Sequence, residues 1–124
     1  YRKAWKDAGH EGEPTTVVRI PTLLADTKEE AERLSDELMV LARRYFNGRI
    51  GIGSTDAGSA SPDTTEEVNL FGTAEDVVEK IEVLREQYGT DEIMFEANWT
   101  SSVPRDVVTN TIRILSDKVI PKFK

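Results

Sequence analysis

The sequence lacks cysteine altogether and contains a single histidine, His10, among its 124 residues. Without cysteine the chain can form no disulfide, thiolate metal site or cysteine nucleophile. His10 lies in a glycine-rich turn beside acidic residues, which is typical of an exposed side chain. No group of carboxylates and histidine has the spacing of metal ligands, so we expect no metal site.

Long apolar runs and clustered positive charge are missing as well. No apolar stretch approaches the ~18 residues needed to span a bilayer, and we see no basic, then apolar, then small-residue pattern of a secretory leader, so we expect a cytoplasmic protein with no membrane partner. The formal charge of −7, with scattered basic residues, argues against a nucleic-acid partner, because phosphate binding requires clustered lysine and arginine. What remains, 38% hydrophobic and 31% charged residues, is typical of a globular domain.

The first half of the sequence predicts a helix, a strand and a second helix. Residues 1–9 look like the end of a helix, and two glycines and a proline favour a turn over residues 9–14. Residues 15–25 are β-branched and apolar, which predicts a strand covered on both faces, with a bulge or an early end at Pro21. Thr27 and Glu30 have the spacing of a capping box, so the next helix should begin there and end near residues 47–48. Its apolar stripe comprises Ala31, Leu34, Leu38, Leu41 and Tyr45.

The second half opens with glycine, serine, threonine and proline over residues 48–65, which predicts a long mobile insertion, either a lid or an exposed disordered segment. Thr73 and Asp76 form a second capping box at the start of a helix that Gly89 ends. Residues 91–98 predict a second strand, and Pro104 suits the first turn of a last helix that ends near Pro121. The inner faces expected for these two helices are Val77, Ile81, Leu84 and Tyr88, and Val108, Ile112, Leu115 and Val119.

Together these elements predict an α/β fold with two parallel strands and flanking helices. Two strands make a poor sheet, so the missing strands must come from a longer parent protein or from another copy of the chain. Because apolar faces are then left uncovered, we expect the isolated chain to be a homo-oligomer.

Polar side chains interrupt the two strands in a way that indicates a site. Glu96 and Asn98 alternate on one face at the carboxyl end of the second strand, where α/β proteins place their active sites. Arg19 is the matching polar exception on the first strand. One interpretation is a ligand pocket lined by Arg19, Glu96, Asn98 and Trp99. The other is a buried ion pair between Arg19 and Glu96, with Trp99 as core packing.

Four stretches of the sequence resemble the carboxyl-terminal part of the bacterial luciferase-like flavin monooxygenases: YRKAWKDAGH, VVRIPTLLADTKEEAE, FGTAEDVVEKIEVLREQYGTDEIMFEANW and RILSDKVIPKF. The resemblance implies that residues 1–124 are the carboxyl-terminal portion of a single (β/α)8 TIM-barrel domain. The two strands would be the last two of the barrel, and residues 48–65 would be the mobile insertion that the family carries.

The chemistry that the resemblance implies is the reaction of reduced FMN with dioxygen to oxidise a small organic substrate, with a flavin reductase as a possible partner. It assigns no catalytic residue. The fragment alone should be inactive, because much of the flavin phosphate site looks to come from earlier strands. Two alternatives stay open: a deazaflavin-dependent oxidoreductase of the same superfamily, and a small stand-alone interaction module that pairs through its strand edges.

Overall fold

The computed structural model describes residues 1–50, 69–99 and 101–124, with side chains for all of these except residues 41–50. The described elements are helix α1 (Arg2–Asp7), strand β1 (Val17–Leu24), helix α2 (Lys28–Ile50), strand β2 (Leu70–Gly72), helix α3 (Ala74–Tyr88), strand β3 (Glu92–Glu96) and helix α4 (Arg105–Ile114). Helix α4 continues as a π-helical turn, Leu115–Val119, and a 3-10 turn, Ile120–Lys122. The predicted insertion at residues 48–65 lies outside the described residues from residue 51 onward, while residues 48–50 belong to α2.

Within the described residues the sheet has three parallel strands in the order β2-β1-β3. Strand β1 pairs with β3 from Val17↔Glu92 to Pro21↔Glu96, and with β2 from Thr22↔Leu70 to Leu24↔Gly72. The prediction of a parallel α/β arrangement with flanking helices is confirmed. The prediction of two strands is wrong, because β2 is only three residues long and therefore too short to show an alternating pattern.

Strand β1 runs through Pro21 without interruption. The pairing with β3 advances one residue at a time up to Pro21, and the pairing with β2 begins at the next residue, Thr22. The predicted bulge or early end is therefore wrong. The amide hydrogen that proline lacks falls where β1 changes its pairing partner, so its absence removes little from either ladder.

The termini of the two long helices follow the local sequence. At α3, Thr73 Oγ1 accepts a hydrogen bond from Asp76 N, and Asp76 Oδ2 accepts one from Thr73 N at 3.0 Å, which confirms the predicted capping box. Gly89 ends α3 in the left-handed region with φ 61°, as predicted. At α2, Glu30 N donates to Thr27 Oγ1 at 3.3 Å.

Helix α2 differs from its prediction at both ends. The Glu30 carboxylate turns away from Thr27 and accepts hydrogen bonds from Arg33, so only half of the first capping box forms. Helix α2 also extends to Ile50, beyond the end predicted at residues 47–48, and so carries Gly48 inside its last turns. In the part of the chain that the structure describes, no helix is both long enough and apolar enough to cross a bilayer.

One face of the sheet is covered by α3, α4 and the π-helical turn. It presents Ile20, Leu24 and Leu70 as buried residues, with Val18, Ile93 and Phe95 partly buried beside them. Ala74, Val77 and Ile81 of α3 pack there, which confirms part of the predicted stripe, together with Ile114, Leu115 and Val119. Tyr88 is 68% exposed, so its predicted place in that stripe is wrong.

The inner face of α4 is shifted by one residue from the prediction. Val107, Thr111 and Ile114 are buried, whereas the predicted Ile112 is exposed and Val108 is only partly buried. The π-helical turn after Ile114 explains the shift, because it inserts an extra residue and changes the phase of the helix. Leu115 and Val119 face inward as expected, while positions before the turn are displaced.

The opposite face of the sheet divides into a covered and an uncovered half. Near the carboxyl edge, Leu23 and Phe71 pack beneath Ala31, Leu34 and Leu38 of α2. Toward the amino end the side chains lie open; this part, called the open face below, comprises Val17, Arg19, Pro21, Met94 and Glu96. Val17 and Met94 are more than half exposed, an unusual state for apolar side chains of a parallel sheet.

Strand edges are also unpaired among the described residues. On the side of β1 toward β2, pairing begins only at Thr22, so Val17–Pro21 present a free edge there. Strands β2 and β3 each pair with β1 alone, which leaves their outer edges without a further strand. A parallel sheet with an open face and open edges is consistent with part of a larger sheet.

Candidate functional site at the carboxyl edge

Two of the four predicted site residues contact each other directly. Arg19 Nε donates to Glu96 Oε2 at 3.1 Å, and Arg19 Nη2 lies 3.0 Å from Glu96 Oε1, so the pair is bidentate. The strand register explains the contact, because Arg19 is paired with Met94 and Glu96 with Pro21 on the same face. Both side chains therefore point to the open face from adjacent strands.

The ion pair is more accessible than the sequence predicted. The side chain of Arg19 is 68% exposed and that of Glu96 is 29% exposed. The prediction of a buried pair is wrong for Arg19, since no described element covers the open face above it. Such a pair contributes little to stability while it stays exposed.

Asn98 has a local structural role in the turn that follows β3. Its side-chain Oδ1 accepts a hydrogen bond from Val103 N at 3.2 Å, and its backbone oxygen accepts one from Ser101 N at 3.0 Å. Ser101 has φ 58°, so the chain reverses tightly there. Asn98 thus holds the turn that carries Trp99 back over the sheet.

Trp99 is buried at the carboxyl edge and belongs to the core under α2. Its ring lies 5.6 Å from that of Phe71, centroid to centroid, at a tilt of 33°. It is only 9% exposed and packs in the same cluster as Leu23, Leu34 and Val103. The core-packing interpretation therefore describes its ring well.

The indole nitrogen of Trp99, unlike its ring, is not satisfied by the surrounding core. Among the described residues, two buried side-chain polar atoms have no hydrogen-bond partner, Thr90 Oγ1 and Trp99 Nε1. Thr90 precedes β3, whereas Trp99 follows it at the edge where parallel strands direct their functional side chains. A buried N–H group without an acceptor costs about 1–3 kcal/mol. Such an unpaired donor is a candidate contact for a ligand.

A polar cluster that the sequence analysis missed lies after β1. Asp26 accepts hydrogen bonds from Arg113 Nη2 at 2.8 and 2.9 Å and from Asn110 Nδ2 at 3.4 Å. The hydrogen bond from Arg113 lowers the pKa of Asp26, against a smaller opposing effect of desolvation. The sequence signal for this cluster was an acidic residue shortly after an apolar strand. Its partner Arg113 lies 87 positions away, so the sequence alone did not connect them. These contacts tie α4 to the sheet.

The amino end of α3 lies at the carboxyl edge of the sheet and is capped by the side chain of Asp76. The carboxylate of Asp76 accepts hydrogen bonds from the backbone and the hydroxyl of Thr73, and the backbone bond is the main cause of its lowered pKa. An ionised carboxylate therefore lies where a phosphate would otherwise bind a helix terminus. In the described part of the chain, no three His, Asp or Glu side chains cluster as metal ligands.

The structure thus brings Arg19 and Glu96 together on the open face and sets Asn98 and Trp99 beyond the strand end. Phe71, which the sequence analysis did not assign to a site, joins Trp99 through the unpredicted strand β2. The available sequence signal for Phe71 was an aromatic residue directly before a glycine. Because β2 is only three residues long, that signal did not place Phe71 on a strand.

Solved structures with this arrangement of elements include the monooxygenase RslO1 from Streptomyces bottropensis. The TM-score is 0.76, the identity is 20%, and the match covers 100% of this chain and 36% of that chain. The chain therefore has the fold of about a third of a longer monooxygenase. Comparisons with protein families and with curated protein sequences give no match. The luciferase-like resemblance of the sequence stays a prediction.

Proposed function

We propose that the chain is the carboxyl-terminal part of a flavin-dependent monooxygenase that uses reduced FMN and dioxygen to oxidise a small organic substrate. The likeness of its fold to part of RslO1, a monooxygenase, supports the reaction class. The open face and the free strand edges support its being part of a larger sheet, since further parallel strands would pair with the edges and closure of that sheet into a barrel would cover the face.

The observation that carries the proposal is the unpaired N–H group of Trp99. It is a buried donor at the carboxyl edge of a parallel sheet, beneath α2, and none of the described residues accepts from it. A carbonyl oxygen or ring nitrogen of a flavin, or a carbonyl of the substrate, would satisfy it. Buried donors that lack a protein partner are expected to meet a ligand or water.

The residues present fit one portion of FMN and not the other. Trp99 and Phe71 offer a donor and an aromatic wall that suit the flavin ring or the substrate. The phosphate has no such partner at α3, where the Asp76 carboxylate already accepts from the amide of Thr73 and the Thr73 hydroxyl accepts from the amide of Asp76. The phosphate site would therefore come from the rest of the parent protein, and the chain alone would be inactive.

When bound, reduced FMN supplies the two electrons with which one oxygen atom enters the substrate and the other leaves as water. The role of this chain would be to position the flavin or the substrate and to exclude water from it. Trp99 Nε1 would orient its acceptor, and Ala31, Leu34 and Leu38 of α2 would keep the carboxyl edge dry. A flavin reductase that delivers reduced FMN is the expected partner, and the open strand edges make a homo-oligomer the expected state of the isolated chain.

Equilibrium titration with reduced FMN, under nitrogen, tests the proposal in the full-length parent protein. Trp99→Phe should weaken flavin or substrate binding by about tenfold, because one buried hydrogen bond is lost. Trp5→Phe is the matched control, since Trp5 lies on α1 and its indole already donates to Gly12 O at 3.3 Å. Equal binding by both variants would refute the role of Trp99. A reduced deazaflavin in the same titration distinguishes the alternative cofactor.

A further inference from the structure

Side chains of this chain satisfy the outer edge of β2. Gly72 O accepts a hydrogen bond at 3.1 Å from Ala25 N, just beyond β1. Successive residues of a parallel strand direct their peptide groups to opposite sides, so both peptide groups of Phe71 point away from β1. Phe71 N donates to Asn69 Oδ1 at 3.2 Å, and Phe71 O accepts from Lys80 Nζ at 2.9 Å. Two side chains therefore bind the peptide groups that β1 does not.

These two hydrogen bonds are important because β2 is short. The strand has three residues and pairs with β1 alone, so its own ladder holds it weakly. Phe71 is only 9% exposed, so water would compensate poorly for a lost partner of its carbonyl. The contact with Lys80 thus fixes the Phe71 peptide from the side opposite to β1.

Lys80 belongs to α3, which covers the face of the sheet opposite to the ring of Phe71. Its side chain is partly buried, and burial lowers the pKa of its amine against an opposing effect of Asp76. An amine that is partly withdrawn from water makes a stronger hydrogen bond to a carbonyl than a solvated amine does. Lys80 therefore differs from the flexible lysines of an exposed helix face.

The ring of Phe71 connects this contact to the carboxyl-edge site. It lies 5.6 Å from the ring of Trp99, centroid to centroid, in the core beneath α2. A rotation of the Phe71 peptide would move this ring and remove the wall against which the indole packs. Because Nε1 is part of the rigid indole, the direction of its N–H group depends on that wall.

We propose that Lys80 is a positioning residue of the carboxyl-edge site, because its hydrogen bond to the carbonyl of Phe71 fixes the aromatic ring that orients Trp99. Lys80 acts through Phe71 and contacts neither flavin nor substrate. The inference rests on the proposed function, since it assigns Lys80 to the same site, but its first test needs no flavin.

The first test follows the fluorescence of Trp99 in the 124-residue chain with Trp5→Phe, which removes the other of the two tryptophans. Lys80→Met should shift the emission to longer wavelength and raise its quenching by acrylamide, because the indole loses packing. Lys80→Gln, whose donor lies one bond nearer the helix, should do the same. Lys80→Arg keeps a charged donor and should keep the original emission. Arg85→Met is the matched control, because Arg85 lies exposed on the same helix.

The second test is titration of the full-length parent protein with reduced FMN under nitrogen. Lys80→Met should weaken binding about fivefold, as expected for the loss of one hydrogen bond, and Lys80→Arg should restore it. Phe71→Leu should weaken binding as well. Because both residues act through the same ring, the double variant should bind like Phe71→Leu alone. Additive losses would mean that Lys80 acts by another route and would overturn the proposal.

The outcomes separate this inference from the proposed function. Unchanged emission of Trp99 in both Lys80→Met and Lys80→Gln would overturn the role of Lys80 without reference to flavin. Weaker binding by Trp99→Phe, with unchanged binding by Lys80→Met, would overturn it as well and leave the proposed function intact. Equal binding by Trp99→Phe and wild type would remove the proposed function and this inference with it.

Discussion

The open face makes a quantitative prediction for the ion pair between Arg19 and Glu96. If the pair with its contacts of 3.0 and 3.1 Å were buried, removing one partner would cost about 3–5 kcal/mol, because the other charge would be left unpaired. The guanidinium is 68% exposed, however, and exposed pairs contribute about 0.2–1 kcal/mol. We therefore expect a coupling free energy of about 0.5 kcal/mol in the isolated chain at concentrations low enough to dissociate its oligomer.

A double-mutant cycle with Arg19→Met, Glu96→Gln and the double variant, measured by urea unfolding at low protein concentration, gives this coupling. It should fall further in high salt, because an exposed pair is screened. The pair Arg33–Glu37 on α2, whose side chains are 54% and 60% exposed, is the comparison for a pair with both partners exposed, with Glu30 kept in place because it also contacts Arg33. A coupling above about 3 kcal/mol for Arg19 and Glu96 would contradict the prediction, because it would mean that the open face is covered in solution.

Three further predictions concern stability. Thr111→Val should cost about 1–3 kcal/mol in urea unfolding, because the buried hydroxyl accepts from Leu24 N at 3.2 Å and the amide would lose this partner; an unchanged midpoint would contradict it. Thr73→Ala should cost about 1 kcal/mol through loss of the α3 cap, as seen in thermal melts. The hydrogen bond from the Thr16 amide, aided by Arg2, lowers the pKa of Asp91 from its ordinary value of 3.8. The ionised Asp91 therefore contributes to the free energy of unfolding above pH 3.8, and this contribution is lost as the pH falls through the folded-state pKa. Melts of Asp91→Asn and wild type should converge in acid, and a constant difference would contradict this.

The sequence predicted the elements whose signals are local. The cap at Thr73 and Asp76, the stop at Gly89 and the apolar run of β1 each depend on a few neighbouring residues, and each is found where it was expected. The ion pair between Arg19 and Glu96 also followed from alternation along two strands and their parallel pairing.

Features that depend on tertiary context were not predictable in the same way. Strand β2 pairs with the carboxyl end of β1, a contact distant in sequence. Its three residues are too few to show the alternating pattern of a strand. The shift of the inner face of α4 results from a π-helical turn that the sequence pattern did not indicate. Arg19 is exposed because no described element covers the open face. Whether Trp99 Nε1 has a hydrogen-bond acceptor depends on residues distant in sequence.

The proposed function divides the flavin site between this chain, which would supply the ring or substrate side, and the rest of a parent protein, which would supply the phosphate side. Reduced-FMN titration of the 124-residue chain beside the full-length parent tests this division. We expect tight, saturable binding by the parent and none by the chain alone. Tight FMN binding by the chain alone, or no flavin binding by the parent, would contradict it.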